Sequence, residues 1–210
     1  NLYVNLYCLR LTLITTKEMN RLSRQSNVTK ITFGAMFVAL TAIGANITSI
    51  VPFLVIGGVP ITLQTFFAIL AGLVLGSRLG AFTMFVYMAL GLVGVPVYAK
   101  FGGGISSLIN PTFGFIISFI IVAYIVGLIR EKNGSLISYV IAALVGFVIN
   151  YVFGTNWMYM AYKLWFDAPE GFTYALAWIW MLPPLPKDII LSILAGVFAY
   201  RLAKHKIVFD

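Results

Sequence analysis

The sequence is short of charge. Charged residues make up 10% of its 210 positions, against about 25% in a soluble domain. That is too little to cover a water-facing surface, which excludes a soluble globular enzyme. His205 is the single histidine and lies in a basic tail, so histidine catalysis and zinc chemistry are not expected. Cys8 is the single cysteine, and no internal disulfide can form. No G-x-x-x-x-G-K-[ST] occurs, so ATP phosphates have no P-loop, and the run Gly102-Gly103-Gly104 lacks the lysine. H-E-x-x-H and G-x-S-x-G are also missing. Glu131, Asp167 and Glu170 fall in connections and only Asp188 lies within an apolar segment, so no carboxylate pair is available for hydrolysis. Neither an enzyme nor a bound cofactor is expected.

What is present is apolar: 61% hydrophobic residues and 15% aromatic ones. No charge occurs in residues 31–77, 79–99, 101–129 or 133–162. Runs of that length reach the roughly 20 residues that span a bilayer as a helix. The net charge of +8 does not point to nucleic acid, because no basic face is interleaved with aromatic or polar groups. The expected class is an all-α membrane protein in the lipid bilayer.

Glycine, proline and charge divide the runs into six transmembrane helices, over about 31–51, 61–76, 79–95, 112–129, 135–164 and 186–203. The connections include 52–60 with Gly57-Gly58, the tight Gly76-Ser77-Arg78 turn, and a glycine- and proline-rich loop over 96–111. With both termini cytoplasmic, the inner side receives Arg10, Lys17, Arg21, Arg24, Lys30, Arg78, Arg130, Lys132, Arg201, Lys204 and Lys206. The outer side then keeps only Lys100, Lys163 and Lys187, the bias that orients a multi-pass protein. Residues 1–30 are taken as an N-terminal extension and lead-in, 31–203 as the membrane domain and 204–210 as a cytoplasmic tail. Met19 opens Met-Asn-Arg-Leu-Ser-Arg, which resembles a natural start, and residues 1–18 lack the features of a secretory signal.

Helix direction allows depths to be reckoned. Gln64 lies one turn into a helix that starts outside. Asn150 is 15 residues into its helix, some 22 Å from the inner end at about 1.5 Å per residue. Tyr151, Gly154 and Trp157 follow it outward. Asp188 lies in the first turn of the last helix beside Lys187, and the 98–111 loop with Tyr98, Lys100 and Asn110 is also outside. Polar groups from four segments thus meet at one depth with an aromatic rim, the makeup of a mostly apolar pocket with a few orienting groups. Each also has a plainer role. Asp188 can complement a helix N-terminus, Asn150 can join helices, the lysines can snorkel, and Trp178 and Trp180 suit a membrane belt. On the first helix, Ala35 and Ala39 form a flat small-residue strip that lets another helix approach closely.

Several blocks together carry a family resemblance. They are Gly58-Val-Pro-Ile-Thr-Leu-Gln64-Thr, Leu70-Ala-Gly-Leu-Val-Leu-Gly76-Ser-Arg78-Leu-Gly80-Ala and Leu90-Gly-Leu-Val-Gly-Val-Pro96-Val. Phe101-Gly-Gly-Gly, Asn110-Pro-Thr112 with Gly114, Tyr151-Val-Phe-Gly154 with Trp157, and Leu185-Pro-Lys-Asp188 follow in order. Over about residues 30–203 the chain resembles the BioY family, the biotin-binding S components of energy-coupling factor (ECF) transporters.

The resemblance implies a substrate-capturing subunit in a bacterial cytoplasmic membrane, with a transmembrane coupling subunit and two cytoplasmic ATPase subunits as partners. It implies docking through Ala35 and Ala39. The ureido group of biotin offers two N–H donors and a carbonyl, which suit Asp188 with Asn150 or Gln64. Trp157, Tyr151 and Phe53 are candidate apolar walls, and Tyr98, Lys100 and Lys187 candidate partners for the tail carboxylate. Residues 52–60 are a candidate gate. Two positions depart from the family pattern: Leu191 stands where a lysine usually follows the aspartate by three residues, and Asn110 where glycine commonly precedes Pro-Thr. Competing readings are an S component for another small vitamin and a stand-alone proton-coupled carrier.

Overall fold

A computed structural model describes residues 27–47, 55–56, 59–60 and 62–205. The chain divides into two units, Asn1–Phe33 and Gly34–Asp210. Of the first, only its helical end is described, where the Thr32 hydroxyl donates to the Val28 carbonyl at 2.9 Å. Apart from the first residues of α1, all that follows concerns the second.

Among the described residues the architecture is helical, apart from one minimal hairpin. α1 is Asn27–Ile47. β1 (Val55–Ile56) and β2 (Val59–Pro60) pair antiparallel, with Val55 opposite Pro60 and Ile56 opposite Val59. There follow α2 (Gln64–Leu75), α3 (Ser77–Leu92), α4 (Phe113–Lys132), α5 (Leu136–Leu164), α6 (Tyr174–Ile179) and α7 (Leu185–Lys204). Two 3-10 turns, Ala99–Phe101 and Ile105–Ile109, lie in the connection between α3 and α4. α1, α4 and α5 are long and apolar enough to cross a membrane, while α2 and α3 are apolar but shorter. With several such helices, the protein is a membrane protein by composition.

The boundaries differ in places from the sequence expectation. α3 begins at Ser77 rather than at 79, because Gly76 alone makes the turn, with φ of 82° that a side chain would resist. No residue of α3 caps its own start. Instead Glu131, at the end of α4, accepts from the Ser77 amide at 2.6 Å and from its hydroxyl at 3.0 Å. α3 ends at Leu92, short of the expected 95. α1 ends its described stretch at Ile47, and residues 48–51 of the expected first helix lie outside the described residues, as do Phe53 and most of 52–60. α6 stands where a plain connection is expected. It is short, and it starts because the Thr173 hydroxyl accepts from the Leu176 amide at 3.2 Å.

α4 lies at the centre, packed against α2, α3 and α5, while α7 closes on α2 and α5. Glycine sets the spacing at the end away from the site described below. A Cβ on Gly72 would stand 2.5 Å from the Ala123 carbonyl oxygen, and one on Gly127 would stand 2.3 Å from the Ser77 nitrogen. Backbones there touch without side chains between them. The buried core is built from Ile69, Leu73, Val74, Met84, Phe119, Val122 and Val126.

Candidate functional site

The starts of α2, α4 and α7, the middle of α5 and the α3–α4 loop surround a partly open cavity of about 150 Å³. Its apolar lining comes from Phe113, Phe115, Ile116, Phe119, Met181 and Pro184. Its polar lining comes from Thr62, Gln64, Thr65, Asn150, Tyr151 and Asp188, with Tyr98, Ser107, Asn110 and Thr112 along the loop and the start of α4.

Three hydrogen-bonded groups set the polar side chains. The first centres on Gln64, whose side-chain amide donates to the Tyr87 hydroxyl at 2.8 Å and whose oxygen accepts from the Thr62 hydroxyl at 3.0 Å. Tyr87 passes the chain on by donating to the Val97 carbonyl at 2.8 Å, so α2, α3 and the loop are tied together.

The second group centres on Asn150, which is 1% exposed. Its oxygen accepts from the Thr65 hydroxyl at 3.1 Å, and its NH₂ donates to Ser118 Oγ at 2.6 Å and to the Phe115 carbonyl at 3.4 Å. One amide thereby joins α2, α4 and α5 while still bordering the cavity. The bridging role and the lining role coincide in this residue.

The third group is ionic. Asp188, 8% exposed, sits in the first turn of α7 after Pro186, a position that the positive end of the helix dipole favours for a carboxylate. Its Oδ2 accepts from the Tyr151 hydroxyl at 2.7 Å, and its Oδ1 pairs with Lys187 Nζ at 2.7 Å. Lys187 also donates to the Thr62 carbonyl at 2.5 Å, pinning α7 to the entry of α2. Both carboxylate oxygens are held in place, and each keeps further acceptor capacity toward the cavity.

Gln64, Tyr98, Asn150, Tyr151 and Asp188 all border this one cavity, as the depth reckoning expects. Lys187, Lys100 and Trp157 do not. Lys187 pairs with Asp188 without itself lining the cavity. Lys100 is exposed on a turn whose left-handed backbone, φ 60°, carries it outward. Trp157 lies on the same helical face as Asn150 but seven residues, roughly 10 Å, farther along. There it covers Gly114, pairs edge-on with Trp165 and lines a separate apolar groove with Met160. Ala35 and Ala39 are both exposed. Tyr98 is buried against Tyr87 and Phe113 and donates to the Met88 carbonyl. Burial pushes its phenol up to about 12, so it stays a neutral donor. The ring fits because Gly91 lies beneath it: a Cβ there would stand 2.0 Å from Tyr98 Cζ.

Sequence reasoning missed Thr62, Thr65, Tyr87, Ser107 and Ser118. Ser118 had a signal, since a lone hydroxyl in the middle of an apolar helix needs a partner. Tyr87 had none, because its partner Gln64 is 23 residues distant.

The BioY family profile matches residues 16–207. The Bacillus subtilis (strain 168) protein BioYB is 43% identical over 166 residues, covering 78% of this chain and 82% of the relative. The biotin transporter BioY of Thermotoga maritima is 33% identical over 173 residues, covering 82% and 94%. In structure, the chain is similar to the crystal structure of the S component for biotin from an ECF-type ABC transporter. The TM-score is 0.71 at 24% identity, with 86% of this chain and 93% of that one covered, and the likeness shows a shared fold.

Proposed function

This chain belongs to the BioY family, and on that premise we propose that it is the biotin-binding membrane subunit of an ECF-type ABC transporter. It captures biotin from outside and passes it inward when a transmembrane coupling subunit and two cytoplasmic ATPases supply the energy. Six crossings over residues 31–203, with both termini in the cytoplasm, belong to the same reading, as does residence in a bacterial cytoplasmic membrane. Relatives that carry the name biotin transporter support it.

The observation that carries the reading is the pairing of an aromatic-walled cavity with a carboxylate fixed by Tyr151 and Lys187. A cyclic urea presents two N–H donors, and a buried, oriented carboxylate is a strong acceptor for them. Phe113, Phe115 and Phe119 supply apolar surface for the fused ring and the chain. The tail carboxylate meets the polar loop side of the cavity, where Tyr98 and Ser107 lie and Lys100 stands nearby at the surface. The exposed small residues Ala35 and Ala39 on α1 support docking of the coupling subunit there.

The test is mass spectrometry of small molecules released from the purified protein, followed by titration with biotin. Bound biotin and a saturable isotherm are expected. Another vitamin in its place would reassign the substrate. Uptake driven by a proton gradient without ATPase partners would replace the ECF reading.

A further inference from the structure

The loop over the cavity is held down by bonds to three helices, and one of them belongs to α1. Asn46 Oδ1 accepts from the Phe101 amide at 2.6 Å, and its NH₂ donates to the Ala42 carbonyl at 2.9 Å, which fixes the side-chain orientation. At the loop's other end, Trp165 Nε1 at the close of α5 donates to the Ile109 carbonyl at 2.9 Å. Between them, the Gly104 amide donates to the Gly91 carbonyl of α3 at 2.7 Å.

The Asn46 bond falls on the most constrained turn of the loop. Lys100 and Phe101, both bearing side chains, have φ of 60° and 55°. Two successive residues of this kind in the left-handed region persist only where the surroundings impose it. Phe101, 63% exposed, does not anchor the tip of the turn, whose base is closed by the Tyr98 amide donating to the Gly102 carbonyl at 3.1 Å and by the buried Tyr98 ring. Immediately before and after it, Tyr98, Ala99 and Gly102 border the cavity.

We propose that Asn46 is a positioning residue, a latch by which α1 holds the 98–112 loop closed over the ligand and so sets how long the ligand stays. Removing its oxygen frees the Phe101 amide, lets the Lys100–Phe101 turn relax to ordinary backbone angles and loosens Ala99 and Gly102 at the edge of the cavity, while Tyr98 keeps its own anchors. Asn46 lies two helical turns, roughly 10 Å, beyond Ala39 on the same face of α1. A partner packed along Ala35 and Ala39 therefore bears on the helix that carries the latch. This inference rests on the biotin reading for its ligand but not for its loop motion.

The experiment has two arms on the purified full-length chain. In the first, hydrogen exchange of the ligand-free protein compares wild type with Asn46→Ala. Faster exchange confined to the 98–104 segment is expected, with α4 and α5 unchanged; equal exchange in that segment overturns the proposal even if biotin is not the ligand. In the second, release of pre-bound labelled biotin is followed after adding excess unlabelled biotin. Asn46→Ala should release about three- to tenfold faster, the range that one hydrogen bond supplies. Asn46→Asp, which keeps the accepting oxygen, should stay near wild type. Equal release by Asn46→Ala, or release by Asn46→Asp as fast as by Asn46→Ala, refutes the latch. Should Asn46→Ala fail to fold, Trp165→Phe opens the other end, and unchanged exchange over 105–112 counts against a hinged lid.

Discussion

Replacing Asp188 with asparagine tests the site most directly, because it changes charge with almost no change in shape. The new amide keeps one oxygen to accept from the Tyr151 hydroxyl, now at 2.7 Å from the carboxylate, and it loses the ion pair with Lys187. The Lys187 side chain is 31% exposed and keeps its bond to the Thr62 carbonyl, so its own loss is small. The main effect falls on the ligand. A hydrogen bond to a charged acceptor contributes about 1.5–3 kcal/mol, and a neutral one about 0.5–1.5 kcal/mol. The difference, about 1–2 kcal/mol, weakens binding roughly five- to thirtyfold. Asp188→Ala should cost more, since it also strands the Tyr151 hydroxyl in a buried position. Isothermal titration of the detergent-purified variants with biotin gives the numbers, and an unchanged melting temperature shows that the fold is intact. Asp188→Asn binding biotin as tightly as wild type would refute the assignment of this carboxylate to the ligand.

Three further outcomes are expected. Asn150→Ala removes the bridge between α2, α4 and α5 and leaves Thr65 and Ser118 with a lost partner. It should lower stability by about 1–3 kcal/mol and weaken biotin binding, so an unaltered melting curve would contradict the bridging role. Gly72→Ala places a methyl group 2.5 Å from the backbone oxygen of Ala123, which has no side-chain freedom to yield. Size-exclusion chromatography should show aggregated or poorly folded protein, and a monodisperse variant with wild-type stability would overturn the close-packing account. Ala35→Trp or Ala39→Trp, on an exposed strip away from the cavity, should leave biotin binding intact and abolish ATP-driven uptake. Normal uptake would remove the docking surface.

The helices were legible because a bilayer-length apolar run has few other ways to satisfy its backbone. The limits of those helices were less so, because they depend on partners distant in the chain. α3 can start at Ser77 only because Glu131, 54 residues later, supplies the missing cap. Depth reckoning grouped Gln64, Asn150, Tyr151 and Asp188, which border one cavity, since a position along a helix follows from residue count alone. It could not tell lining from near-lining. Trp157 shares the face of Asn150 but packs over Gly114 at the start of α4, and Lys187 pairs with Asp188 without lining the cavity. Lys100 was misleading in another way. Its place in the loop was right, but two left-handed residues turn it to the surface, and no motif in the local sequence marks them.

The glycine contacts at the far end of the bundle have a mechanical meaning. Where Gly72 meets Ala123 and Gly127 meets Ser77, backbone rests on backbone, and there are no side chains to switch rotamers or slide. Such a seam cannot adjust by side-chain rotation, whereas at the opposite end α2 and α3 are tied through the Gln64–Tyr87 hydrogen bond and the loop through single bonds to α3.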